Sequence, residues 1–199
     1  MKTAAVALAL LVAACESRPE AAVDGVQLAQ ARGVIDEPDG DLIKMTEDAP
    51  DPPLPAAGKT VKLAVARRVP WNKLDAWLKR ADAAGVKVGL LAGNRWHVRG
   101  FVLSDPLSGE SIALTGTSDG KICAAPPGEP EAKCYQTIDK DHIDEASTRR
   151  LVREAVTEYQ LQDVDLQMPP EAQWQDVVRA IDGARTCCGD TSVRVKLNR

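Results

Sequence analysis

Aromatic side chains are scarce in this sequence, which limits the residues that can fill a core. One Phe and two Tyr accompany four Trp among 199 residues, and the aromatic share is 4%. Tryptophan is therefore the main large aromatic residue, although the hydrophobic share of 44% is ordinary. The positions of the tryptophans are the first guide to the fold.

Long apolar runs and basic runs are also missing. The apolar run at residues 4–14 is far shorter than the roughly 20 residues that a helix needs to cross a bilayer. The net charge is −4, and residues 59–199 hold 21 basic and 19 acidic residues without a long basic run. Nucleic-acid binding needs a basic patch or stripe, so we expect no nucleic-acid partner.

The pattern of metal ligands is absent as well. His97 and His142, the two histidines, stand apart from any cluster with metal-ligand spacing. The adjacent pair Cys187 and Cys188 matches that spacing poorly. We therefore predict neither a metal site nor a cofactor.

The first residues have the pattern of an export signal, which we assign to residues 1–14. Lys2 precedes the apolar run, and small residues lead to Cys15. The segment Leu11-Val12-Ala13-Ala14-Cys15 resembles the lipobox of bacterial lipoproteins, which implies cleavage before Cys15 and a lipid on that cysteine. Glu16 then implies sorting to the outer membrane. The alternative is an ordinary signal peptide with an incidental cysteine.

Residues 15–58 are predicted to form a lipidated tether. Residues 36–58 contain seven acidic residues, five prolines and one lysine, a composition that buries too little apolar surface to offset the entropy of ordering. Proline and like-charge repulsion both extend such a chain. We expect this segment to hold the folded part away from the membrane.

A first folded unit is assigned to residues 59–110. Residues 61–65 alternate apolar and polar side chains, as a half-buried strand does. After Pro70, apolar residues recur at helical spacing from Trp71 as far as Gly85, which predicts an amphipathic helix. Two strands follow at residues 86–90 and 96–103, joined by a predicted turn at Gly93-Asn94.

A second unit is assigned to residues 111–199, and it ends with the same pattern. A strand at 164–166 precedes an apolar helical face that Trp174 opens, and a strand at 193–197 follows. The earlier part of this unit predicts strands at 112–115, 121–125 and 134–138, then a helix whose start is marked by Asp139, Asp141, Asp144 and Glu145.

A constant offset of 103 residues aligns the two patterns. It places Val61 on Val164 and Trp71 on Trp174, with further apolar matches along both helices. We interpret this as an internal duplication in which the two tryptophans hold equivalent core positions. The alternative is that any two strand, helix, strand units share this apolar spacing.

The segment Gly116-Thr117-Ser118-Asp119-Gly120 fits the G-x-S-x-G pattern of serine hydrolases. That pattern requires a sharp turn from a strand into a helix, whereas strand-like residues follow here. Gly, Ser and Asp are also the residues that a plain turn selects. We therefore predict a hairpin turn and no catalytic residue.

Four cysteines follow Cys15, and an oxidising compartment favours disulfides between them. A bond between Cys123 and Cys134 would join two neighbouring strands. Cys187 and Cys188 could bond to each other, or each to another thiol. The sequence leaves all three connectivities open.

Residues 121–197 resemble the periplasmic domain of the ExbD/TolR biopolymer-transport family. The resemblance is strongest from residue 164 to 197, around Trp174-Gln175-Asp176-Val177-Val178-Arg179-Ala180-Ile181-Asp182, and it is fainter over residues 60–91. It implies an α+β fold with small mixed sheets, helices on one face, and a role in binding. Because single-copy domains pair with a second chain, two copies imply a monomeric pseudo-dimer.

The sequence departs from that family at its N-terminus. ExbD and TolR carry a spanning helix with an acidic residue for proton coupling, whereas residues 4–14 contain no acid. We expect a non-enzymatic, lipid-anchored periplasmic protein that binds an envelope protein or peptidoglycan. The alternative is an envelope hydrolase, which a pocket with a titratable cluster would favour.

Overall fold

The computed structural model describes residues 20–129, 131–136, 142–189 and 192–199. Cys15 and the predicted signal peptide lie outside these ranges, as do Asp139 and Asp141. The described residues form the mixed α+β fold that was predicted, with three helices and several small sheets. None of the helices in these ranges has the length and apolar character needed to cross a membrane.

The first sheet has four strands, and a two-stranded ribbon precedes it in the chain. The ribbon consists of β1 (Ala22–Val23) and β2 (Val26–Gln27). The sheet contains β3 (Asp41–Met45), β4 (Thr60–Val65), β5 (Lys87–Asn94) and β6 (His97–Phe101) in that order. The first three strands are parallel, and β6 runs antiparallel to β5.

The predicted tether is wrong for residues 20–58, because this segment packs into the fold. Strand β3 pairs in parallel with β4, Met45 is 1% exposed, and Leu28 is completely buried. The proline-rich loop that follows supplies acceptors, since Trp77 Nε1 donates to the carbonyl oxygen of Pro52 at 2.8 Å. Proline lacks an amide donor but keeps its carbonyl. The acidic composition obscured the few apolar residues that anchor the segment.

Helix α1 (Trp71–Ala83) connects β4 to β5 and buries the predicted apolar face. Its end is confirmed at Gly85, whose positive φ of 70° is a conformation that glycine adopts without strain. The buried residues are Trp71, Leu74, Trp77, Leu78 and Ala81.

The hairpin between β5 and β6 turns two residues later than predicted. Asn94 pairs with His97, so Arg95 and Trp96 form the turn and Gly93 remains in the strand. A side chain at Gly93 would place its Cβ 2.3 Å from Gln30 Nε2. This glycine therefore serves close packing and not the turn.

The second sheet has five strands, and they lie close to the strands predicted for the second unit. Three parallel strands, β11 (Arg194–Leu197), β10 (Asp163–Gln167) and β7 (Ser111–Gly116), adjoin two antiparallel strands, β8 (Lys121–Ala125) and β9 (Lys133–Gln136). The segment 116–120 is the predicted hairpin turn between β7 and β8, with Gly120 N donating to the Thr117 oxygen.

Two helices pack together against the second sheet. Helix α2 (Glu145–Tyr159) lies over β8 and β9, and its N-terminus is capped by Asp144, whose carboxylate accepts from Ser147 N. Helix α3 (Trp174–Arg185) contacts α2 and β11 and buries ten of its twelve residues. Such all-round burial indicates a helix at the centre of the molecule.

Both sheets contain a parallel strand, helix, strand unit, formed by β4, α1 and β5 and by β10, α3 and β11. Their flanking strands differ, because β6 adds next to β5 whereas β8 and β9 extend from β7. Sheet topology alone therefore does not establish a two-unit repeat.

Candidate functional site

Helices α1 and α3 meet at their N-termini, in a contact that we call the helix junction (residues 67–72 and 170–175). Neither helix has a side-chain cap. Instead, Trp71 N donates to Ala172 O at 2.7 Å, and Trp174 N donates to Val69 O at 2.8 Å. The first amide groups of a helix have no acceptor within the helix itself. Here they donate to carbonyl oxygens of the segment that leads into the other helix.

The bonds of the helix junction form reciprocal pairs. Val69 and Ala172 are 103 residues apart, as are Trp71 and Trp174, so each of these two bonds is the counterpart of the other. The same offset relates the bond from Asn72 N to Pro170 O to the bond from Gln175 N to Arg67 O, and a bridge joins Pro70 to Gln173. This exchange has the form of an isologous interface between two like subunits.

The two predicted core tryptophans lie at the centre of the helix junction. Trp71 and Trp174 are 4% and 0% exposed, and their rings stack with centroids 6.3 Å apart at 17°. Phe101 packs edge-on against Trp174 at 6.0 Å. The sequence predicted equivalent, half-buried positions for both residues. Both are instead buried, and the sequence did not predict that they contact each other.

Residues 30–33 cross from the first sheet to helix α3. Gln30 exchanges two hydrogen bonds with the Gln175 side chain, at 2.8 and 3.2 Å. The buried Asp182 carboxylate accepts from Arg32 N and Gly33 N. Sequence reasoning missed these contacts, although Gln175 and Asp182 are seven positions, or about two helical turns, apart on the predicted helix that begins at Trp174.

The second sheet has one face toward its helices and an open face toward solvent. Ile112, Leu114 and Ile122 are completely buried on the helix side. On the open face the exposed side chains include Ala113, Cys134, Gln136, Gln167 and Lys196, and Thr115, Cys123 and Asp165 are partly exposed. This open face is therefore a mixed polar surface.

Both adjacent pairs of candidate cysteines are bonded. Cys123 and Cys134 are opposite each other on β8 and β9, with Cα atoms 4.0 Å apart, and the disulfide joins these strands. Cys187 is bonded to its neighbour Cys188 just after α3. The structure thereby selects one of the three connectivities that the sequence left open.

A cavity of about 120 Å³ lies beside the N-terminus of α3 and the hairpin turn after β7. His142 Nδ1 is 3.1 Å from the Asp176 carboxylate, and Ser118 lines the same cavity. Burial raises the pKa of Asp176, and the nearby His142 and Arg179 oppose that rise. These are the residue types of a hydrolytic triad, although Ser118 is on an exposed turn.

No group of three or more potential metal-binding side chains occurs within the described ranges. Comparison with protein-family models, with curated proteins and with solved structures found no match to this chain.

Proposed function

We propose that this protein is a lipid-anchored component of the bacterial envelope that binds a partner protein or peptidoglycan and catalyses no reaction. In this proposal Cys15 carries the lipid, the folded part faces the periplasm from the outer membrane, and the chain is related to ExbD/TolR without the proton-coupling helix. The open face of the second sheet carries the proposal. The resemblance implies a sheet with its helices on one face, which is the arrangement of α2 and α3.

The helix junction supports the pseudo-dimer in this proposal. Domains of the ExbD/TolR type pair with a second chain, and here two strand, helix, strand units meet through reciprocal hydrogen bonds. In this proposal the helix junction takes the place of pairing between two chains. The open face therefore remains available to a different partner.

Sedimentation with isolated peptidoglycan sacculi tests the binding role. We expect the protein to pellet with sacculi and Lys196→Glu, on the open face, to pellet less. Lys87→Glu is the matched control, because Lys87 is an exposed lysine of the first sheet, and it should behave as the wild type.

A photo-crosslinking residue at position 196 tests the protein partner in whole envelopes. A specific adduct that is absent from position 87 supports the proposal. The binding role is overturned if the protein stays in the supernatant with sacculi and position 196 yields no adduct beyond that of position 87.

Mass spectrometry of the membrane-derived protein tests the anchor independently. We expect a mature chain that begins at a lipid-modified Cys15, and Cys15→Ser should release the protein from membranes. A mature N-terminus elsewhere overturns the anchor but leaves the binding role testable.

A hydrolase is the second candidate function, and the shared cavity of Ser118, His142 and Asp176 favours it. A fluorophosphonate probe reacts with an activated serine, so labelling that Ser118→Ala abolishes would support this function. Absence of labelling at Ser118 in the folded protein would exclude a serine nucleophile there.

A further inference from the structure

The tip of the β5–β6 hairpin carries an exposed tryptophan. Trp96 is 62% exposed, whereas Trp71, Trp77 and Trp174 are at most 4% exposed. Its neighbour Arg95 has a positive φ of 55°, a conformation usually occupied by glycine, asparagine or aspartate in such turns. The turn therefore presents two large side chains to solvent where small residues are the common choice.

The residues next to this tryptophan on the hairpin are basic. Arg95, His97 and Arg99 are all exposed. Neither arginine belongs to any ion pair formed among the residues that the structure describes. A tryptophan with an arginine on each side has the chemistry of a membrane-interface contact, because the indole ring prefers the headgroup region and arginine attracts anionic lipids.

The hairpin tip is close to the point where the described chain begins. A Cβ built on Gly93 would lie 2.8 Å from the Cβ of Ala21, and Gly93 also exchanges backbone hydrogen bonds with Ala29 and Ala31. Cys15 precedes Glu20 by five residues, which span at most about 18 Å when fully extended. A lipid on Cys15 would consequently hold this end of the molecule at the bilayer.

We propose that the hairpin tip docks onto an anionic bilayer, with Trp96 in the headgroup region and Arg95 and Arg99 next to lipid phosphates. This inference rests on the proposed lipid anchor and adds an orientation to it. A second membrane contact would fix the orientation of the anchored domain, and its strength would scale with buried apolar area and with attraction to anionic lipids. The docked protein would lie directly on the membrane, with the β5–β6 hairpin of the first sheet facing the lipid.

Fluorescence quenching by lipids brominated on their acyl chains tests the docking. The protein purified from membranes is reconstituted into vesicles of phosphatidylglycerol and phosphatidylcholine. We expect bromine-dependent loss of tryptophan emission in the wild type and complete loss of this quenching in Trp96→Phe. Replacing both Arg95 and Arg99 by Gln should weaken docking by about fivefold per arginine, as measured from its dependence on phosphatidylglycerol content.

A tryptophan reporter at the other end of the sheet provides the control. Leu54 is 39% exposed and precedes Gly58, whose amide donates to Gly85 just before β5. The start of β5 is about 26 Å along the strand from the turn. Leu54→Trp in the Trp96→Phe background should show no bromine quenching. Equal quenching at positions 54 and 96 would overturn the orientation, and no quenching at position 96 would overturn the docking.

Mass spectrometry of the same preparation separates this inference from the anchor. A lipidated protein without Trp96 quenching contradicts the docking alone, whereas an unlipidated protein that shows Trp96 quenching contradicts the anchor alone. Repeating the quenching measurement with soluble muropeptides added to the vesicles determines whether Trp96 instead contacts a glycan. Displacement of Trp96 from lipid by these sugars would overturn the membrane assignment.

Discussion

Two fully buried tryptophans differ in the hydrogen bonding of their indole nitrogen. Trp77 Nε1 donates to Pro52 O at 2.8 Å, whereas Trp174 Nε1 is buried without a partner among the described residues. Replacement by Phe removes the N–H from each. Trp77→Phe should be more destabilising than Trp174→Phe by about 1–2 kcal/mol, because it leaves the Pro52 carbonyl without its donor. Equal changes in the free energy of unfolding, measured with urea, would contradict this reading.

Asp163 provides a prediction for the pH dependence of stability. Burial alone would raise the pKa of Asp163, but hydrogen bonds from Arg194 and from the amides of Ser108 and Gly109 outweigh it and lower the pKa below its ordinary 3.8. The folded state therefore gains stability from this group above pH 3.8 and loses that gain as the pH falls through the lowered value.

Asp163→Asn should lower the free energy of unfolding by about 1–3 kcal/mol at pH 7, since Arg194 then lacks its buried carboxylate. The difference from the wild type should shrink below pH 4, where the wild-type carboxylate also becomes neutral. Urea unfolding at several pH values measures this, and a difference that is constant from pH 7 to pH 3 would contradict the role of the charge.

At the scale of elements, local periodicity predicted most strands and all three helices. The alternation at residues 61–65 and the apolar face after Pro70 became β4 and α1 because each depends on neighbours in sequence. Strand β3 was missed even though Ile43 and Met45 flank Lys44. Its pairing partner is about 20 residues away, so composition outweighed a short signal and the segment was predicted to be a tether.

Met45→Ala tests whether β3 is part of the folded core. Met45 is 1% exposed, so the substitution should lower the free energy of unfolding by about 2–5 kcal/mol. Leu54→Ala is the control from the same predicted tether, and at 39% exposure it should change stability by less than about 0.5 kcal/mol. If residues 20–58 were a free tether, neither substitution would shift the urea midpoint.

The disulfide between Cys123 and Cys134 is the second element-scale prediction. It closes a loop of about ten residues between β8 and β9, and the loss of loop entropy corresponds to roughly 3 kcal/mol. The double replacement by Ala should lower the free energy of unfolding by that amount under oxidising conditions. Reductant should destabilise the wild type by a similar amount. It should not produce this loss in the double variant, which lacks the bond.

At the scale of the whole molecule, the candidate site was only partly predictable. The 103-residue offset predicted that Trp71 and Trp174 hold equivalent, half-buried positions, and both are in fact buried. It did not predict the helix junction, because reciprocal bonds such as that from Trp71 N to Ala172 O join segments distant in sequence. The contact of Gln30 with Gln175 was hidden for the same reason.

The helix junction predicts energetic coupling between the two units. Trp71→Leu and Trp174→Leu each remove one ring of the stacked pair, so the double variant should lose less stability than the two single variants together. The expected coupling is about 0.5–1.5 kcal/mol. Trp77 is on the same helix as Trp71 without stacking on Trp174, so Trp77→Leu combined with Trp174→Leu should be additive within about 0.5 kcal/mol. Both cycles are measured by urea unfolding followed by circular dichroism. Coupling confined to the stacked pair would identify the junction as the surface through which the two units pair, whereas additivity in both cycles would show units that merely adjoin.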